Sequence, residues 1–354
     1  MALRILANGK AFSVALFAGL AATPAAAEAP VSFEGKTIAI IVGSPPGGGT
    51  DLSARALANR FSNHVPGHPS VVIQNIPGAD GLVAMNAFVQ RTKPDGLTLA
   101  MGSVGTSDPL LTRRAQSLFD PAKFHFVGGL RLGKNYLVIR RDAEKRLNDK
   151  SQPPVIMGAL AGVPRSSHQM AAWGAAYLGW NVKWVVGYRG TQDLLVALDR
   201  GEIDMTGTTS GLPELRRLID TGVVKVLSQS GSLSEGQLVA RTNEAPTLAQ
   251  LLEGKIDGKV EQQSFAYWVN LNLIDKWLAL PPETPADIVE TYREAYRQTM
   301  SDPEFIARSR NLSDEFEPQT ATQVKELIDV LNSLPPEAMA QVSVMLRKQG
   351  LDAQ

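Results

Sequence analysis

The apolar run Thr37 to Val42 gives way to the glycine-rich stretch Gly43 to Asp51 and then to Leu52 to Val65, where apolar positions recur at helical spacing. That succession predicts strand, glycine loop and helix. Ser70 to Gln74 repeats the strand pattern, Pro77 to Gly81 is a turn, Leu82 to Arg91 a helix and Leu97 to Met101 a third strand. Strands separated by helices are parallel with right-handed crossovers, and ligands of such sheets sit beyond the carboxyl ends of the strands. The glycine turns and the stretch Gly102 to Ser107 all fall at that edge.

A second alternating region starts near Phe126, with strands expected at Tyr136 to Ile139, Val155 to Gly158, Val182 to Val186, Ile203 to Thr206 and Val224 to Ser228. Helices are expected at Gln169 to Tyr177, Thr191 to Asp199 and Pro213 to Asp220. Beyond Gly231 the pattern changes: Thr247 opens a short helix, Phe265 to Leu271 reads as a strand, and the remainder reads almost wholly helical. Thr284 before Pro285, and Ser301 with Glu304 in the spacing of a capping box, mark helix starts. Ile288, Tyr292 and Tyr296 recur at the interval of one helix face, so the tyrosines are read as core. The whole describes a hinged, two-lobed α/β binding protein with its cleft between facing strand ends. One lobe is expected over residues 28–128 and 232–354, the other over 129–231.

The first glycine loop is the chemical centre of this reading. Glycines allow close approach of a ligand to the main chain, Thr50 or Asp51 is placed to cap the following helix, and free amides at a helix start suit an anion. The alternative is a plain strand-to-helix turn. Nucleotide motifs fit poorly: no lysine follows the glycines as a P-loop requires, and Leu52 stands where a dinucleotide fingerprint would have its third glycine.

Composition narrows the setting. Arg4 and Lys10, the apolar stretch Ala11 to Ala22 and Ala25 to Ala27 have the form of a cleaved secretory signal over residues 1–27. Its removal from the 354-residue chain leaves 33 basic against 35 acidic residues, so general attraction to nucleic acid is not indicated. Cysteine is absent, which excludes disulfides, thiolate metal sites and cysteine nucleophiles. The mature product is expected to be a soluble periplasmic monomer without cofactor or metal.

Pro45 to Asp51 with Ala54 and Arg55, Val72 to Gly81, Pro94 to Leu99, and Gly105 with Thr106 together resemble the periplasmic solute-binding proteins of tripartite tricarboxylate transporters, the TctC or Bug type. Gly187 to Gly190, Leu198 to Asp204, Pro246 with Thr247, and Thr284 with Pro285 look like later landmarks of the same family. The resemblance implies a type II periplasmic binding protein-like fold that closes on a small carboxylate and delivers it to membrane permease subunits. By position it implies ligand contacts from Pro46, Gly47, Gly48, Thr50 and Asp51, from Ala79 and Asp80, and from Gly105 and Thr106. The other lobe would contribute Gly162, Pro164, Arg165, Ser166, Ser167, Tyr188 and Asp204. The chain departs from the family where Pro164 and Arg165 replace the usual glycine and serine, Asp80 replaces glycine, and Thr206 to Thr209 stand where phenylalanine is frequent. Arg165, or Arg189 as second candidate, is placed to form a bidentate pair with a second ligand carboxylate.

Two other uses compete with delivery to a permease. A closed receptor could be read by a sensor kinase instead of a permease. An exported hydrolase has little support: Pro66 and Gly67 break any helix aligning His64 with His68, and Ser166 and Ser167 beside His168 are explained by a helix start. The fourth histidine, His125, adds no cluster.

Overall fold

The apolar run Thr37 to Val42 forms β1 (Thr37–Val42), an inner strand whose last three residues are buried. The computed structural model describes residues 30–131, 133, 135–160, 164, 166–209, 212–234, 237–240, 245–313 and 316–351. The signal-like residues 1–27 and the site candidates Gly162 and Arg165 lie outside the described residues.

From β1 the chain runs through α1 (Gly49–Phe61), β2 (Ser70–Asn75), α2 (Leu82–Arg91), β3 (Thr98–Ser103), the short α3 (Val104–Ser107) and α4 (Pro109–Thr112), and β4 (His125–Arg131). A second series follows: β5 (Asn135–Arg140), β6 (Val155–Leu160), α5 (Ser166–Tyr177), β7 (Val182–Tyr188), α6 (Thr191–Arg200), β8 (Met205–Thr209), α7 (Pro213–Asp220) and β9 (Val224–Gln229). Then come the hairpin β10 (Ser232–Ser234) and β11 (Gln237–Val239), α8 (Leu248–Leu251), α9 (Lys259–Leu271), β12 (Lys276–Leu280), α10 (Ala286–Ser301), α11 (Pro303–Leu312), β13 (Glu317–Thr320), α12 (Ala321–Asn332) and α13 (Pro336–Arg347).

The six-stranded sheet has the order β13-β4-β12-β3-β1-β2 and the five-stranded sheet the order β7-β6-β8-β5-β9. Each has an antiparallel strand inserted among the others. In the first, β12 runs antiparallel between β3 and β4; in the second, β5 runs antiparallel between β8 and β9. The parallel pairs β1/β2, β1/β3, β6/β7 and β6/β8 keep their carboxyl ends on one edge of each sheet. The chain leaves the first sheet at Arg131 and enters the second at Asn135, whose carbonyl accepts the amide of Ser230 at 2.8 Å where the chain comes back.

Two expectations for the C-terminal third are corrected. Phe265 to Leu271 is not a strand but the second half of α9. Ser264, Tyr267, Trp268 and Leu271 are buried at helical intervals, so tertiary packing selects the helical period over the alternation that the apolar residues also permit. The remainder is not wholly helical, because β12 completes the first sheet and β13 extends it. The caps also differ. Asp302, not Ser301, caps α11, accepting from the amides of Glu304 and Phe305, while Thr284 turns its hydroxyl to the Pro281 carbonyl at 2.8 Å.

Tyr292 and Tyr296 are core residues as expected, buried in one cluster with Phe61, Leu99 and Val289. Their hydroxyls donate to the carbonyls of Gly96 and Gly129, and burial pushes both phenols up. A second cluster runs through both sheets, holding Phe88 and Trp277 with Trp173, Trp268, Met170 and Met205. The lobes therefore share a core through α5, α9 and α13. Among the described residues no helix is long and apolar enough to cross a membrane.

Candidate ligand-binding cleft

Three turns at the carboxyl edge of the first sheet touch one another through glycines. A Cβ on Gly43 would lie 2.5 Å from Cα of Gly81, and one on Gly81 would lie 2.8 Å from the Thr106 methyl. A Cβ on Gly105 would come within 3.2 Å of the Asp80 carbonyl oxygen. Only glycine at 43 and 81 lets the first, second and third turns pack this closely.

The first turn is held by Asp51. Its carboxylate accepts from the Gly47 amide at 2.8 Å, from Nδ2 of Asn75 at 2.9 Å and from Arg55 through Nε and Nη2, each at 2.9 Å. Its own amide donates to the Ser44 hydroxyl at 3.1 Å. Hydrogen bonds from Arg55 outweigh the opposing effect of burial and, with Asn75 and Gly47, lower its pKa to about 2. Neither Thr50 nor Asp51 is the cap of α1, which is Gly48 with no side-chain bond. The loop also differs from the expected row of free amides: Gly47 donates to Asp51, and Gly48 donates to the Pro45 carbonyl at 3.0 Å. The amides of Gly49 and Thr50 have no partner among the described residues.

On the second sheet, α5 starts at Ser166 with φ +51, a left-handed conformation unusual outside glycine. Its hydroxyl donates to Oδ1 of Asn272 at 2.9 Å and its carbonyl accepts from Nε1 of Trp268 at 3.0 Å. Gly207 brings β8 against this helix start, since a Cβ there would meet His168 N and Ser167 C at 2.5 Å.

A cavity of about 550 Å³ lies where these turns face one another. Of the residues expected at the site, Thr50, Ala79, Asp80, Gly105, Thr106, Pro164, Ser166 and Ser167 line it. Pro46, Gly47, Gly48 and Asp51 are not part of the lining, and Asp51 instead shapes the loop. Asp204 sits before β8, at the opposite end of that strand from the cavity, accepting from the Ile156 amide at 2.8 Å and pairing with Arg146 at 2.7 Å. Tyr188 ends β7 and packs against the second sheet's own core, and the exposed Arg189 pairs with Asp193 at 2.9 Å. Neither of these two belongs to the lining.

A family model described as "Tripartite tricarboxylate transporter family receptor" matches residues 54–331. The chain belongs to this family. A UPF0065 protein of Bordetella pertussis is 27% identical over 313 residues, spanning 86% of this chain and 89% of the relative. Among solved structures, a TctC solute-binding protein from Polaromonas superposes with a TM-score of 0.61 at 21% identity, covering 90% of this chain and all of the other. MatC from Rhodopseudomonas palustris with bound malate gives 0.57 at 17% identity, covering 85% and 98%. An R. palustris protein with adipate gives 0.60 at 20% identity, covering 89% and 97%. These likenesses establish a two-lobed periplasmic binding protein fold for this tripartite tricarboxylate transporter receptor.

Several lining residues of the receptor escaped sequence reasoning: Asn135, His168, Thr191, Gly207, Thr208 and Asp275. Thr191 carried a usable signal, because it opens a helix directly after a strand and a glycine turn, as Thr50 does. The run Thr206 to Thr209 was visible as a departure from the family, and Gly207 and Thr208 of that run reach the cavity. Asn135 and Asp275 had no local signal, since each stands at the start of an antiparallel strand, β5 or β12, whose place in its sheet is set by tertiary pairing. The Asp275 carboxylate is paired with the adjacent Lys276 ammonium.

Proposed function

We propose that this receptor is exported to the periplasm, captures a small organic carboxylate between its two lobes and delivers it to a tripartite tricarboxylate-type permease. The observation that carries this reading is the convergence of three long helix starts on one cavity: Thr50 of α1, Ser166 and Ser167 of α5, and Thr191 of α6 all line it. The first amides of any helix lack partners within the helix, and the dipole there favours negative charge. At Thr50 that amide is also without another partner among the described residues. A carboxylate held in this way needs no lysine or arginine. The malate and adipate carried by structures of the same fold support the ligand class.

The receptor reading expects binding without turnover. Ser166 commits its hydroxyl to Asn272, so it is not set to be activated by His168. A thermal-shift screen of mono-, di- and tricarboxylates tests the proposal. A ligand at about 100 times its dissociation constant adds about 2.7 kcal/mol of stability. No stabilisation by any carboxylate, or conversion of a bound one to product, removes it.

A further inference from the structure

Thr208 is 3% exposed, lines the cavity and has no hydrogen-bond partner for Oγ1 among the described residues. A buried hydroxyl left in this state is costly, so its partner is expected to arrive with the ligand. Gly207 makes the placement possible by letting β8 press against the first turn of α5, which sets Thr208 in the same wall as Ser167. Three further lining hydroxyls, of Thr50, Ser167 and Thr191, make no hydrogen bond among the described residues. The polar part of the wall is thus largely hydroxyl, drawn from both lobes.

The lining also lacks what other carboxylates would use. Among the described residues it contains no lysine or arginine, its one aromatic ring is the His168 imidazole, and its acidic members are Asp80 and Asp275. A second ligand carboxylate would meet a wall that already carries the carboxyl groups of Asp80 and Asp275, and an aromatic acid would find only the buried His168 imidazole. Hydroxyls on the ligand, by contrast, can donate to the acidic and hydroxyl oxygens and accept from the threonines and serine.

Resting on the carboxylate-receptor reading, we propose that the ligand is an aliphatic monocarboxylate bearing several hydroxyls, and that Thr208 is the residue that selects it over its deoxy counterpart. The carboxylate sits at the helix starts, and the hydroxylated chain extends along Thr208 and Ser167.

Calorimetry with gluconate, hexanoate and adipate separates the alternatives, because the three share a six-carbon chain and differ in hydroxyls or in a second acid. Wild-type protein is expected to bind gluconate at least about tenfold more tightly than the other two. Thr208→Val, which keeps shape and removes the hydroxyl, is expected to weaken gluconate about three- to tenfold while leaving hexanoate unchanged. Thr208→Ser should restore gluconate binding, which distinguishes a lost hydrogen bond from a disturbed strand. Preference of the wild type for adipate or hexanoate overturns the proposal, as do equal losses for gluconate and hexanoate in Thr208→Val. Adipate bound with gluconate ignored would remove this inference alone; failure of every carboxylate would remove the receptor reading with it.

Discussion

The Ser166 hydroxyl donates to Oδ1 of Asn272 at 2.9 Å, tying the first residue of α5 to the residue that closes α9. Asn272 cannot be turned the other way. Its Nδ2 donates to the Trp268 carbonyl at 2.7 Å, so Oδ1 faces Ser166 and also accepts from Nδ2 of Asn135 at 2.8 Å. Two lining residues of the second lobe are therefore held by one buried amide from the chain that returns to the first sheet. Asn272→Ala would leave two donors without their acceptor, at about 1–3 kcal/mol for each that stays buried. Lower melting temperature and weaker ligand binding are expected together. Ser166→Gly should separate them, because glycine relieves the left-handed backbone while the anchor is lost. Its melting temperature is expected to hold and its affinity to fall; unchanged affinity in both variants would show that this contact does not position the site.

Asp51 supports the first turn without lining the cavity. Asp51→Asn keeps the shape but loses the ionic bonds to Arg55, and hydrogen bonds involving a charged group contribute about 1.5–3 kcal/mol each. Arg55 is half exposed, which reduces its share. Destabilisation of about 1–2 kcal/mol in urea unfolding is expected, with affinity reduced through the displaced loop. An unchanged midpoint and unchanged affinity would separate Asp51 from loop and site alike.

The pH dependence follows from the direction of the same shift. Folding lowers the Asp51 pKa from its ordinary value to about 2, so the folded state favours the ionised form. Its contribution is complete above about pH 5 and fades as pH falls toward 2. Asp302 behaves alike: burial pushes its carboxyl up, but bonds from His64, Arg60 and the amides of Glu304 and Phe305 bring it well below the ordinary range. The stability gap between wild type and Asp51→Asn is expected to be constant from pH 5 to 7 and to close on acidification. A gap that widens below pH 4 would contradict the assignment.

Gly207→Ala tests the seating of β8 on α5. The new methyl would meet backbone atoms at 2.5 Å, which cannot yield as a side-chain tip would. Overpacking of this kind costs about 1–3 kcal/mol. A lower melting temperature with ligand affinity down by more than about tenfold is expected, since the floor carrying Thr208 must shift. Wild-type affinity in this variant would mean that the floor takes no part in binding.

What the chain determines locally is the series of strand, glycine turn and helix, because period, turn residues and helix starts are properties of neighbouring residues. That is enough to mark Thr50 and the glycine turns as candidates and to carry the family likeness, through which Ala79, Gly105 and Ser167 were named. The helical state of Phe265 to Leu271 was decided only by packing, since its apolar residues satisfy both periods until α12 and α13 cover the face of Tyr267 and Trp268. Tertiary structure likewise decided which donors remain available. Asp51 and Pro45 occupy the amides of Gly47 and Gly48, while Thr208 keeps a buried hydroxyl open. Asn135 and Asp275 reach the cleft, and Asn272 reaches Asn135 and Ser166, across long sequence separations, a proximity that no local pattern encodes.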